Sequence, residues 1–185
     1  MMGPMKTRSR GLTLLETMVV IGLAAILATI AVPSFLRFMT ENRMASEMNS
    51  FETALMLARS EAIKRGEEVT LCTSTSGTDC SIASNWNAGW LIFSNPQNQP
   101  NVPNPADIIR THGGFSNTDT LVGSNTTLDH AVSFTGLGIL VPGELTGGNF
   151  DLGTQPADSS LTRCLTIGPG GQLATAEPGH PCPIE

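Results

Sequence analysis

Cations are scarce over most of this sequence. Beyond Arg65 only Arg110 and Arg163 remain, against eleven Asp and Glu, so the last 120 residues carry a net charge near −9. A segment that acidic repels phosphate backbones unless its few cations cluster, which makes non-specific nucleic-acid binding a poor reading. A phosphate-binding patch would have to unite Arg110, Arg163, Lys64, Arg65 and His180. Tight Cys-x-x-Cys spacing is absent, and His112, His130 and His180 are too scattered to set two on one helix face, so no metal centre is expected. Gly168-Pro169-Gly170-Gly171 lacks the Lys-Ser/Thr of a phosphate loop and opens no helix, so it reads as a turn. No Ser/His/Asp or Cys/His set stands out. Neither an enzyme nor a cofactor is indicated, and no internal repeat is evident.

Charge of either sign is also missing from Thr17 to Leu36, a run long enough to cross a bilayer. Ahead of it stands the basic opening MMGPMKTRSRG, in which Met1, Met2 and Met5 are all possible starts. A conventional signal peptide is cut after its apolar run, at small residues. Here the small residues around Ala28 to Ala31 sit inside a helical pattern that continues past Arg37. An uncut signal anchor, oriented by Lys6, Arg8 and Arg10, is the simpler alternative, and hydropathy does not separate the two. The four cysteines, Cys72, Cys80, Cys164 and Cys182, all lie beyond the apolar run among turn residues. In an exported domain they read as disulfides. Three connectivities are open, of which the local pairing 72–80 and 164–182 is the expected one.

The junction is the informative part. Gly11 ends the basic leader, Leu12-Thr13-Leu14-Leu15-Glu16 follows, and Glu16 is a lone carboxylate leading an apolar span that runs to Pro33. A charge in such a run costs a few kcal/mol in lipid and is a functional residue by default. Here the sequence resembles the type IV pilin and type II secretion pseudopilin family. Gly11, Leu12, Glu16 and Pro33 stand at the family's positions, although Leu12 replaces the usual Phe. The resemblance implies that a prepilin peptidase cuts after Gly11 and that Leu12 becomes N-methylated. It implies that Glu16 neutralises the N-terminal amine of a neighbouring subunit during assembly, and that Gly22 and Pro33 loosen the helix.

Helical periodicity continues beyond the span. Met44, Met48, Phe51, Leu55, Ala58 and Ala62 form one apolar stripe, with Lys64, Arg65 and Gly66 as C-terminal signals. A helix from Leu12 to Arg65 would be about 80 Å long. After Gly66 the pattern changes to short strands: Glu68–Thr73, Gly89–Ser94, Asp107–His112, Ala131–Thr135, Leu137–Val141, Asn149–Leu152, Thr162–Ile167 and Gln172–Thr175. Asn95 to Pro105, with four prolines, reads as a loop, and so does Ser116 to Asn125. Trp86 and Trp90 read as core rather than as an exposed binding platform. The order of Cys72, Cys80, Gly89-Trp90, Phe134, Gly138, Arg163-Cys164 and Gly170-Gly171 resembles the GspH/FimT group of minor pilins and pseudopilins. Some DNA-uptake members carry a basic motif where this chain has Gly171-Gln172-Leu173-Ala174, so DNA is not an expected partner.

The expected architecture is α+β, a long N-terminal helix packed against a mostly antiparallel β head, the pilin fold. Residues 1–11 would be the removed leader, 12–36 the transmembrane assembly helix, 37–66 the amphipathic helix and 67–185 the β-rich head. The resemblance implies a minor type IV pilin at or near a pilus tip that helps prime assembly. Its alternatives are a type II secretion pseudopilin and a DNA-binding pilin. It implies an inner-membrane subunit with its head in the periplasm, later part of a filament. The implied partners are other minor and major pilins or pseudopilins, the prepilin peptidase and the inner-membrane assembly platform.

Overall fold

The structure, a computed structural model, describes residues 13–81, 85–102, 104–125, 128–143, 147–180 and 182. Its first element is α1 (Leu14–Arg65), a 52-residue helix that includes Pro33. The chain divides into two compact units, Met1–Thr40 and Glu41–Glu185. In the first unit the large apolar side chains from Leu14 to Met39 are exposed. By length and composition α1 is able to cross a membrane.

In the second unit α1 buries one face. Met44, Met48, Phe51, Leu55, Ala58 and Ala62 are all inaccessible to solvent or nearly so, and Ala54 joins them. That is the stripe expected from the spacing. The helix stops at Gly66, whose φ of 68° suits glycine and whose N–H donates to the Ala62 carbonyl at 2.9 Å.

Eight strands follow among the described residues: β1 (Val69–Thr73), β2 (Gly89–Ser94), β3 (Ile108–Gly113), β4 (Thr120–Gly123), β5 (Ala131–Phe134), β6 (Gly148–Gly153), β7 (Arg163–Ile167) and β8 (Leu173–Thr175). They form two four-stranded sheets, ordered β3-β2-β1-β5 and β4-β6-β7-β8, and neighbouring strands pair antiparallel throughout both. Both sheets pack on α1. The Phe51 ring meets Trp86, Trp90 and Phe150 edge-on, at centroid distances of 5.0, 5.4 and 4.9 Å. Truncating a phenylalanine so placed costs about 3–5 kcal/mol. Trp86 and Trp90 are core, as expected, and the Trp86 indole N–H donates to the Leu128 carbonyl at 2.7 Å. β1 is buried on both faces, because Leu91, Phe93, Val102 and Cys80 cover the side away from α1.

Two expectations fail. Ser116 to Asn125 is not all loop, since it contains β4, paired with β6 from Thr120↔Gly153 to Gly123↔Phe150. Polar and small residues hide a strand whose only buried side chain is Leu121. Conversely, Leu137–Val141 is no strand. It is a turn with a single bridge, Phe134↔Leu140, because Gly138 at φ 75° reverses the chain and leaves Leu137 82% exposed.

Candidate functional site

The start of α1 carries more signal than its hydropathy. Gly11 and Leu12 lie outside the described residues. Thr13 is the N-cap: its carbonyl accepts from the Thr17 N–H at 3.1 Å and its hydroxyl from the Glu16 N–H at 3.2 Å. Thr13-Leu14-Leu15-Glu16 is the spacing of a capping box, a legible signal that reading the span for hydropathy alone overlooks. The cap sets Glu16 in the first helical turn, where the helix dipole favours a carboxylate. From there to Leu36 no charge follows, and the large apolar side chains are exposed.

Among the described residues nothing lies within 4 Å of where a Cβ on Gly22 would stand, so no contact with them demands glycine there. Pro33 sits inside α1 without an N–H to offer the Thr29 carbonyl.

The GspH/FimT-like glycines meet at a residue the sequence did not single out. Arg59, on α1, donates from Nε to the Gly138 carbonyl at 2.8 Å and from Nη2 to the Gly170 carbonyl at 3.0 Å. One guanidinium thereby ties the helix to the turn after β5 and to the β7–β8 turn. Gly171, at φ 73°, comes so close that a Cβ would lie 2.5 Å from the Gly138 oxygen.

A second set of polar contacts ties α1 to the segment before β4. Arg43 donates to both carboxylate oxygens of buried Asp119, at 2.8 and 3.1 Å. Glu47 accepts from the Asn117 amide, and burial, its largest influence, raises the Glu47 carboxyl above its ordinary range.

Both disulfides have the local pairing, Cys72–Cys80 and Cys164–Cys182. The cluster of Asp151, Cys164 and Cys182 has the residue types of a metal site, but its two sulfurs are bonded to each other.

The five groups of a would-be phosphate patch are not brought together. Arg163 donates to the Glu41 carbonyl near the start of the second unit, at 3.4 Å. Lys64 and Arg65 bind Glu61 at the other end of α1, more than 20 residues and about 30 Å away along the helix. Arg110 is on β3, in the other sheet from Arg163.

The family model described as type II transport protein GspH matches residues 47–171, and that of the prokaryotic N-terminal methylation motif matches residues 6–32. Two crystal structures of the Pseudomonas aeruginosa (strain PAO1) type IV minor pilin FimU resemble this fold. One, in space group P21, has a TM-score of 0.59 at 24% identity over 79% of this chain and 96% of that one. The other, in P65, has a TM-score of 0.54 at 25% identity over 77% and 96%. No curated protein matches the chain.

Proposed function

Because this chain belongs to the type II transport protein GspH family, we propose that it is a minor type IV pilin placed at or near a pilus tip, where it helps prime assembly. Its role is structural rather than catalytic. The observation that carries this reading is Glu16, held by Thr13 in the first turn of a helix whose next twenty residues are uncharged and whose large apolar side chains are exposed. A lone carboxylate in a bilayer core costs about 2.5–3.5 kcal/mol on insertion scales. An amine from a neighbouring subunit removes that cost, so the carboxylate favours the filament over the dispersed membrane state.

In this reading a prepilin peptidase removes residues 1–11 and Leu12 is methylated. The subunit waits in the inner membrane with its head in the periplasm, then joins other minor and major pilins through the assembly platform. Glu16→Ala tests it. The variant should fractionate normally with the membrane and fail to enter sheared filaments; incorporation equal to wild type refutes the pairing role.

A second reading, a minor pseudopilin of a type II secretion machine, draws support from the description of the matching family model. A deletion strain separates the two, since loss of pili favours the first and loss of protein secretion the second. DNA capture has less support, as Arg163 is engaged by α1 and Gln172 stands where a basic residue would be needed.

A further inference from the structure

Of the two cations beyond Arg65, Arg110 has no ion pair or hydrogen-bond partner among the described residues and is exposed. It lies on β3, the edge of its sheet, whose outer side pairs with no described strand. Next to it a groove of about 780 Å³ opens between α1 and that edge. The α1 wall is polar, with Ser46, Asn49, Ser50 and Thr53. Arg110 and His112 form the other wall together with their cross-strand neighbours Ile92 and Trp90 of β2. None of the described lining residues is acidic, in a chain of net charge −6.

We propose that this groove receives an extended, carboxylate-bearing segment of a partner protein, which adds to β3 as a fifth strand and sets an acidic side chain against Arg110. An unpaired edge offers a row of N–H and C=O groups that an extended peptide satisfies. Arg110 and His112 are two residues apart and line the same groove, so alternate side chains of an added strand would fall beside them. An unpartnered guanidinium selects a carboxylate, which it can bind with two parallel hydrogen bonds.

The walls are pre-set. Ser50 and Thr53 hydroxyls donate to the Ser46 and Asn49 carbonyls at 2.8 and 2.7 Å, leaving oxygen lone pairs for the ligand's amides. The His112 ring stacks on Trp90 at 4.2 Å and 3°, and its Nδ1–H donates to the Gly113 carbonyl at 2.6 Å. The volume falls in the range of about 300–1,000 Å³ that accommodates a ligand of many atoms rather than a lone ion. Antiparallel pairing of β3 with its own copy would set like charges near one another, which disfavours a second copy as occupant.

The full chain in non-ionic detergent tests this with a fluorescein-labelled peptide, Thr-Val-Glu-Val-Glu-Val-Thr, followed by anisotropy. The peptide should bind, and its Lys-for-Glu counterpart should not. Arg110→Gln should weaken binding about tenfold or more with an unchanged melting temperature, the weight of a charge-assisted contact. N-methylating the peptide amides that face β3 should abolish binding to the wild-type protein, and N-methylating the alternate amides should not. No binding, equal affinity for Arg110→Gln, or indifference to both methylation registers would overturn the proposal. Self-association of the protein that disappears in Arg110→Gln would give the groove to a second copy and would overturn it too.

Discussion

Replacing Arg43 by methionine isolates one charge. Methionine keeps the aliphatic stem, so what is removed is the guanidinium that binds Asp119 at 2.8 and 3.1 Å. Asp119 is 1% exposed and would be left buried and unpaired, whereas Arg43 itself is 41% exposed. Breaking a fully buried pair costs about 3–5 kcal/mol, and water entering from the exposed Arg43 side lowers this to about 2–4 kcal/mol. For a chain of this size that corresponds to a melting temperature about 6–12 °C lower. The loss should depend on pH. Glu47 has a carboxyl already raised, first by burial, and Arg43 is among the influences that lower it. Without Arg43 the folded-state value climbs further above the unfolded one. Such a group contributes stability below the unfolded value and loses it as pH rises through the folded value. The deficit of Arg43→Met should therefore be largest at pH 7 and shrink as pH falls toward about 5. Urea titration followed by fluorescence of Trp86 and Trp90 at both pH values measures it. A loss below about 1 kcal/mol at pH 7, or one that grows on acidification, refutes the reasoning.

The two disulfides should differ modestly. By loop length, replacing Cys164 and Cys182 with serine should cost about 3 kcal/mol, and replacing Cys72 and Cys80 about 2.5 kcal/mol, in urea titrations of the full chain. Glu68 has a half-buried carboxyl, one oxygen of which lacks a partner among the described residues, and burial raises it above the ordinary range. Glu68→Gln should gain up to about 1 kcal/mol at pH 7, a gain that fades as pH falls through the raised value and is gone below about pH 4. Intact-mass measurement of filament-derived protein should give a chain that begins at Leu12 with one methyl group, and Gly11→Val should retain residues 1–11.

Much of the fold was legible. The apolar stripe from Met44 to Ala62 needs only helical spacing to be seen, and every one of its residues is buried. Seven of the eight strands fall where short apolar runs predicted them. The failures have a common cause. β4 is held by pairing with β6 and flanked by the Asp119–Arg43 contact, neither of which marks its own residues as a strand. Leu137–Val141 has the composition of a strand, but Gly138 turns it back before a ladder forms. Thr13 was readable from its spacing to Glu16.

By itself the sequence determined the elements whose causes are local: the uncharged run, the basic residues before it, the cap at Thr13, the helix stop at Gly66 and the turns. Only the tertiary structure decided what joins across the chain. It divides the strands into two sheets and sets Phe51 between Trp86, Trp90 and Phe150. It also spends Arg59 on two carbonyls and Arg163 on a third, while Arg110 stands apart on an edge. All three are arginines in sequence. The two carbonyls that hold Arg59 lie 79 and 111 residues from it, and the one that holds Arg163 lies 122 away. Arg110 has no partner among the described residues. Contacts at such separations depend on the path of the folded backbone, which no local pattern encodes.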